Sequence, residues 1–175
     1  GQSFKLEFYS LKNNQNQSLS TVSAGGMQVQ KSVFNKDQGY NVVNGQKIIL
    51  SEDELEQALT DSKLFSELSY DYEIVKLVGS STIDDQKVYE IKISDNNTEY
   101  YSIETGLKVK EVENQLIDGN QITIETTIKE YQEVNGILIP SEINQVTPAV
   151  PIPGGITIKF NTIELNVESS DSDFN

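Results

Sequence analysis

Glycine-containing turn dipeptides restrict the fold of this chain more than any other feature of its sequence. Asn-Gly and Asp-Gly pairs supply the positive φ angles that tight β-hairpins require. Two further polar pairs, Asp84-Asp85 and Asn96-Asn97, separate short runs in the same way. The sequence therefore predicts an antiparallel meander, in which each strand pairs with the next one along the chain. The four glycine turns are Asn44-Gly45, Thr105-Gly106, Asp118-Gly119 and Asn135-Gly136.

The runs between these turns alternate apolar and polar residues with the period of a β-strand. Phe4, Leu6 and Phe8 alternate in the first run, and the stretch from Tyr100 to Glu111 forms a predicted hairpin around its Thr-Gly turn. We expect about ten or eleven strands in all. They cover residues 4–8, 27–33, 40–43, 47–50, 70–78, 88–94, 98–103, 107–113, 121–133, 137–145 and 156–167.

Only one segment carries the signals of a helix. Ser51 and Glu54 have the spacing of a capping box, in which each side chain bonds to the backbone of the other residue. Leu55, Ala58 and Leu59 then recur at helical spacing. The helix is predicted to extend through Leu59. A second short turn is expected to place three more apolar residues on the sheet: Leu64, Phe65 and Leu68.

The charge and composition of the chain exclude several classes of protein. Its 175 residues include 27 acidic and 13 basic side chains, for a formal net charge of −14. Nucleic acid and anionic lipid surfaces both attract basic proteins, so neither is an expected partner. The chain has no His and no Cys, which excludes Ser-His-Asp triads, Cys-His pairs and sites built on imidazole or thiolate metal ligands. We therefore expect no enzyme activity, no metal and no cofactor.

The many carboxylates do not form a recognisable site. A glycosidase needs two acids that flank a sugar, normally in a cleft rich in aromatic residues, whereas this chain has no Trp and its acids lie in turns or on alternating strands. The stretches Asp84-Asp85 and Asp95-Asn96-Asn97 lack the spaced ligands and the distal bidentate Glu of a calcium loop.

The length of the chain predicts one domain, which we place at residues 1–167. The polar, acidic tail at residues 168–175 is expected to fray, with Phe174 as the residue that could anchor it. The proline-rich loop at residues 147–155 either connects the last two strands or forms a rim over an apolar ligand. No apolar run reaches the length of a membrane span, and no signal peptide is visible, although that absence does not establish a cytoplasmic location.

Several strands carry apolar residues on both alternation phases. Val88, Tyr89 and Ile91 are one example, and residues 137–139 are another. A sheet with one solvated face does not need this pattern. Either one face packs on the helix while the other lines a cavity, or both faces contribute to a filled barrel or sandwich core.

Three stretches resemble the LolA/LolB-like superfamily of periplasmic lipoprotein carriers. The resemblance is greatest to the form found in Bacteroidetes-type envelope proteins and after the peptidase domains of some insulinase-type zinc proteases. Together the stretches cover most of residues 27–167. They are GYNVVNGQKIILSEDELEQ (Gly39 to Gln57), YYSIETGLKVKEVE (Tyr100 to Glu113) and TTIKEYQEVNGILIPSEI (Thr126 to Ile143).

This resemblance implies a mainly β (α+β) fold: a strongly curved antiparallel meander of about ten strands, a half-barrel, with one or two short helices on its concave side. It also implies a periplasmic or other cell-envelope location and the binding of lipid or lipoprotein acyl chains in the hollow of the sheet. A typical carrier begins with a longer amphipathic helix, for which there is no room ahead of Phe4. Part of the lid is therefore expected to be missing or supplied by a preceding domain.

The sequence analysis thus favours a non-catalytic binding domain for a lipid, a lipoprotein acyl chain or another apolar ligand. The alternative is a structural or interaction domain with a filled core and no ligand, attached to an upstream peptidase-like domain of the same polypeptide. Tyr89 and Tyr101 are expected to supply polar contacts from their hydroxyl groups. The residues predicted to line the apolar cavity are Phe8, Met27, Val29, Phe34, Tyr40, Leu55, Leu59 and Phe65.

Overall fold

A computed structural model describes residues 6–63, 65–117, 120–148 and 152–175. Its strands form two antiparallel sheets, which belong to two compact units of the chain. The first unit contains the described residues up to Ser69 together with Glu168–Asn175. The second unit is Tyr70–Val167. The expectation of a single domain over residues 1–167 stays a prediction.

Five strands form the sheet of the first unit. They are β1 (Leu6–Lys12), β2 (Gln17–Ala24), β3 (Met27–Asn35), β4 (Gln38–Val43) and β5 (Gln46–Ile49). Each strand pairs with the next one in antiparallel register, so the spatial order is the chain order. The predicted Asn-Gly turn joins β4 to β5, with φ angles of 50° at Asn44 and 82° at Gly45.

The sequence analysis missed β2. Its residues, QSLSTVSA, are small and mostly polar, so they carry a weak strand signal of their own. The strand exists because it is paired along most of its length with β1 on one side and β3 on the other. A register shift next to Val22 marks a bulge in the pairing with β3, and bulges of this kind bend a strand.

One helix, α1 (Glu52–Ser62), follows β5 and begins where the capping box predicts. The backbone N–H of Ser51 donates to a carboxylate oxygen of Glu54 at 2.7 Å, and the Ser51 hydroxyl accepts from the Glu54 backbone. These bonds satisfy N–H groups that a helix start otherwise leaves unpaired. Hydrogen bonds from the Ser51 backbone, and then its side chain, lower the pKa of Glu54. A short 3-10 helix follows at Ser66–Ser69.

Both faces of the first sheet are buried near the C-terminal end of β3. Val33 and Phe34 are consecutive residues of β3, so their side chains point to opposite faces, and both are buried. Helix α1 packs against β2, β3 and β4. A second 3-10 helix, Asp171–Phe174, packs against β2 and β3 and buries Phe174, which is 1% exposed. The tail that was expected to fray is therefore anchored at this residue.

The second unit is a seven-stranded meander with a single strand order from one edge to the other. Its order is the reverse of the chain order, with the last strand at one edge and the first at the other. The strands are β6 (Lys76–Ile83), β7 (Gln86–Lys92), β8 (Asn97–Ser102), β9 (Lys108–Ile117), β10 (Asn120–Val134), β11 (Ile137–Val146) and β12 (Ile156–Lys159).

Three predicted turns of the second unit are present among the described residues. The predicted hairpin from Tyr100 to Glu111 is the β8–β9 connection, with a φ angle of 73° at Gly106. Asp84 and Asp85 both have positive φ angles between β6 and β7. Asn135 and Gly136, with φ angles of 53° and 81°, join β10 to β11.

Two predicted strands are shorter than the alternation indicates. Residues 70–75 are not extended, because the Asp71 side chain accepts from the Glu73 backbone and the Asp71 carbonyl accepts from Ile74 and Val75. These local bonds form turns, and β6 begins only at Lys76. The last predicted strand, 156–167, ends at Lys159, and a positive φ of 60° at Asn166 is incompatible with an extended continuation.

The fold class is confirmed as mainly β, with antiparallel meanders, one α-helix and short 3-10 turns in the described chain. Further register shifts in the β6–β7, β8–β9 and β10–β11 pairs add the bulges that curve a sheet. Four features of the sequence analysis lie outside the described residues: Phe4, Leu64, the Asp118-Gly119 turn and positions 149–151 of the proline-rich loop.

Candidate ligand-binding groove

A groove of about 440 Å³ lies within the first unit. Strands β3, β4 and β5 form its base, and residues from α1 and from the C-terminal segment complete its walls. The volume is in the usual range of small-molecule sites. Its apolar lining consists of Val33, Tyr40, Ile49, Leu50, Leu55 and Phe174, with Gly39 between them. Its polar lining consists of Asn35, Asp37, Gln38, Lys47 and Asn175.

Strand register explains why these side chains meet. Val33 pairs with Tyr40, and Tyr40 pairs with Ile49, so the three side chains form a row across β3, β4 and β5 on one face. Lys47 lies two residues before Ile49 and therefore shares that face. We call this the groove face of the first sheet. Ile49 is 68% exposed and Val33 is buried, so the row runs from an open edge to a closed interior.

Hydrogen bonds fix the C-terminal segment on the groove face. The buried amide of Gln17 donates to Asn35 at 2.8 Å and to the carboxylate of Asp171 at 3.0 Å. The ammonium group of Lys31 donates to the backbone oxygen of Asn175 at 2.9 Å. These bonds hold Phe174 against the sheet, where it closes one side of the groove.

A lysine–tyrosine contact lies at the open side of the groove. The Lys47 ammonium group is 3.7 Å from the centre of the Tyr40 ring, and that of Lys31 is 5.8 Å away. Both distances are within the range of a cation–π interaction. The contact directs a positive charge to a place where the adjacent surface, formed by Tyr40 and Ile49, is apolar.

Two of the predicted cavity residues, Tyr40 and Leu55, line the groove. Phe34 is buried on the opposite face of the sheet. Phe8 and Met27 share that opposite face by register and are 43% and 72% exposed. The groove lining does not include three further predicted residues of the first unit, namely Val29, Leu59 and Phe65.

The other two predicted residues, Tyr89 and Tyr101, form a cross-strand pair in the second unit. Sequence reasoning missed most of the groove lining as ligand contacts, including Lys47, Ile49, Leu50, Val33 and Phe174. The first three lie in a run that was predicted to be a strand, so alternation could have placed Lys47 and Ile49 on one face of that strand, although not beside Tyr40.

A buried charge cluster holds the second sheet together at β8 and β9. The Glu99 carboxylate is fully buried and accepts hydrogen bonds from the hydroxyl groups of Tyr70 and Tyr101. It also pairs with the Lys108 ammonium group at 2.6 Å, and Glu111 lies 3.7 Å from the same ammonium group. Because a buried carboxylate without partners is very unfavourable, this set of donors explains why Glu99 is tolerated inside the sheet.

The electrostatics of the cluster favour charged Lys108. Burial alone lowers the pKa of this ammonium group. The negative charges of Glu99 and Glu111 and the hydrogen bond to Glu99 raise the pKa, and together they outweigh the effect of burial. The net pKa lies well above the ordinary lysine value. Lys108 is therefore charged at neutral pH and forms its ion pairs with Glu99 and Glu111 inside the protein. This arrangement indicates a structural role for the cluster.

The described residues contain no group of three or more His, Cys, Asp or Glu side chains arranged to hold a metal ion. Helix α1 and the 3-10 helices in the described ranges lack the length and apolar character of a membrane span.

The chain has a LolA-like fold. It is similar to the crystal structure of a DUF1329 family protein from Desulfovibrio piger, with a TM-score of 0.59 and 13% identity, covering 96% of this chain and 80% of that one. It is also similar to a LolA superfamily protein from Nitrosomonas europaea, with a TM-score of 0.57 and 14% identity, covering 94% of this chain and 81% of that one. No protein-family model matches the sequence, and no curated protein matches it. At these identities the likeness establishes the fold, and the predicted Bacteroidetes and peptidase context stays a prediction.

Proposed function

We propose that this protein is a non-catalytic cell-envelope domain that binds a lipid, a lipoprotein acyl chain or another apolar ligand in the groove of its first unit. The observation that carries this proposal is a groove of about 440 Å³ with an apolar row at its base. Ligand sites of this size are typically lined by apolar and aromatic side chains with a few polar groups at fixed places. The LolA-like fold supports the proposed periplasmic or other envelope location.

The exposure of Ile49 supports this function over a purely structural role for the groove. A large aliphatic side chain that is 68% exposed beside an aromatic ring loses contact with water when an acyl chain covers it. Each methylene group buried in such a contact contributes about 0.8 kcal/mol. About ten methylene groups buried against residues such as Ile49, Tyr40 and Leu55 therefore correspond to about 8 kcal/mol, or micromolar affinity, without any specific polar contact.

Isothermal titration with dodecanol, an uncharged acyl probe, tests the proposal. Ile49→Asp places a charge in the groove and is expected to weaken binding at least about tenfold. Ile48→Asp is a matched control, because Ile48 is the neighbouring residue of β5, is 48% exposed and points to the opposite face. The proposal fails if dodecanol does not bind, or if the two variants weaken binding equally.

An interaction domain is the second candidate, and a specific surface of the second unit favours it. Tyr72, Ile74, Leu77 and Val78 are all more than half exposed within seven residues of sequence. Apolar clusters of this kind commonly mark protein interfaces. If the chain is expressed as part of a longer polypeptide with a preceding domain, hydrogen exchange of residues 72–78, compared between this chain alone and that longer polypeptide, tests this candidate. Protection only in the longer polypeptide supports an interface, and equal exchange refutes it.

A further inference from the structure

We propose that the groove selects an anionic amphiphile, whose carboxylate or phosphate group pairs with Lys47 while its acyl chain lies along the apolar row. This inference rests on the proposed function and adds the chemical class of the ligand. The position of Lys47, the charges around it and the arrangement of the apolar row support it.

Lys47 is a cation that the protein leaves available. In the described part of the chain, its ammonium group contacts the Tyr40 ring, and no carboxylate lies within ion-pair distance of it. Four lysines of this acidic protein, Lys92, Lys108, Lys110 and Lys159, each pair with a carboxylate, whereas Lys47, the lysine of the groove lining, does not pair with one among the described residues. An unneutralised ammonium group at the mouth of an apolar groove is complementary to an amphiphile with a negative head.

The Tyr40 ring fixes where that charge lies. A cation–π contact at 3.7 Å restricts the flexible lysine side chain to the groove face. The contact uses only one side of the ammonium group, which retains N–H donors for a carboxylate or phosphate oxygen. Tyr40 is therefore a positioning residue for Lys47 as well as part of the apolar lining.

The two charged groove residues lie at opposite ends. Asp37 belongs to the β3–β4 turn, whereas Lys47 lies level with Val42, its partner on β4. Five residues of extended chain separate Asp37 from Val42, which corresponds to about 16 Å along the strand. Ile49, Tyr40 and Val33 lie between these ends. An anionic head therefore fits at the Lys47 end, away from Asp37, and its acyl chain lies along the apolar row.

Three probes with the same twelve-carbon chain test this inference by isothermal titration at pH 8 and low ionic strength: dodecanoate, dodecyl phosphate and dodecanol. An exposed ion pair corresponds to an affinity gain of up to about fivefold. We expect both anions to bind about fivefold more tightly than dodecanol. The preference should shrink as salt is added, because exposed charges are screened.

Lys47→Gln should remove the preference for the anions, so that dodecanoate and dodecyl phosphate bind the variant about as tightly as dodecanol does. Lys63→Gln is the matched control, since Lys63 follows α1 about 12 Å beyond Leu55 and does not line the groove. Shortening the chain of dodecanoate should weaken binding about fourfold per methylene group in wild type and in Lys47→Gln alike.

The outcomes separate this inference from the proposed function. Equal binding of the three probes, or an anion preference that survives Lys47→Gln, overturns the role of Lys47 while the apolar groove still binds its ligand. Failure of all three probes to bind overturns both. A preference for only one anion supports the inference and identifies the head group as carboxylate or phosphate. Circular dichroism of Lys47→Gln checks its fold, and Lys47→Glu, which should disfavour both anions relative to dodecanol, provides a second variant.

Discussion

Lys108→Met should be among the most destabilising single substitutions in the second unit. It removes the cation that lies 2.6 Å from the fully buried carboxylate of Glu99. Loss of one partner from a buried ion pair typically costs about 3–5 kcal/mol, because the remaining charge is left uncompensated. The hydroxyl groups of Tyr70 and Tyr101 still donate to Glu99 in the variant. We therefore expect the lower end of that range, about 3 kcal/mol.

The assay is equilibrium unfolding in urea at neutral pH, followed by far-ultraviolet circular dichroism. The folded-state pKa of Lys108 is raised above the ordinary lysine value. The stabilisation by its charge is therefore fully present at neutral pH, and it is lost only as the pH rises through the folded-state pKa. Lys110→Met is the matched control: Lys110 pairs with the partly exposed Glu125 at 2.6 Å, and its loss should cost no more than about 1 kcal/mol.

A double variant distinguishes a buried charge from lost packing. In Glu99→Gln with Lys108→Met, a neutral amide replaces the stranded carboxylate. Its oxygen can accept from one tyrosine hydroxyl, and its NH2 group can donate to the other. The double variant should therefore be more stable than Lys108→Met alone by at least about 1 kcal/mol. The reasoning is refuted if Lys108→Met costs no more than Lys110→Met, or if the double variant is the less stable of the two.

Three further substitutions test other parts of the fold by the same urea assay. Phe174→Ala should cost about 3–4 kcal/mol because it empties a buried site, whereas Phe8→Ala, at a 43% exposed position, should cost less than half as much; equal costs would contradict an anchored C-terminal segment. Ser51→Ala should cost about 1 kcal/mol at pH 7. The pKa of Glu54 is lowered in the folded state, so the stabilisation from its charged form should disappear as the pH falls through that folded-state pKa. A pH-independent effect of Glu54→Gln on the free energy of unfolding would count against the capping box. Gly155→Ala should cost at least about 2 kcal/mol, because the φ angle of Gly155 is 80° and a Cβ there would lie 2.5 Å from the Gln145 carbonyl oxygen. Gly154 has a similar φ angle but open space around it, so Gly154→Ala should cost about 1 kcal/mol.

Local signals explain which parts of the fold could be predicted. The Asn44-Gly45 turn and the Ser51 cap depend on residues within four positions of each other, so the sequence specifies them directly. The same reasoning failed where local chemistry competes with alternation. Asp71 forms turns through its own side chain and carbonyl, and these bonds overrode the apolar alternation of residues 70–75.

The groove could be predicted only in part, because its walls come from distant parts of the chain. Tyr40 and Leu55 were expected to line a cavity, since they lie on a strand and on the helix that follows it. Phe174 reaches the same groove because Gln17 bonds to Asp171, across 154 positions of sequence. No local pattern specifies such a contact. The position of Lys47 over Tyr40 likewise depends on strand register, which alternation alone does not determine.

Nuclear magnetic resonance of methyl-labelled protein with dodecanoate tests the central claim most directly. The claim is that an acyl chain lies in the groove of the first unit. We predict intermolecular nuclear Overhauser effects from the dodecanoate chain to the methyl groups of Val33, Ile49 and Leu55, and none to Ile48 on the opposite face. Contacts to Ile48 in place of Ile49, or to methyl groups of the second unit alone, would contradict the account.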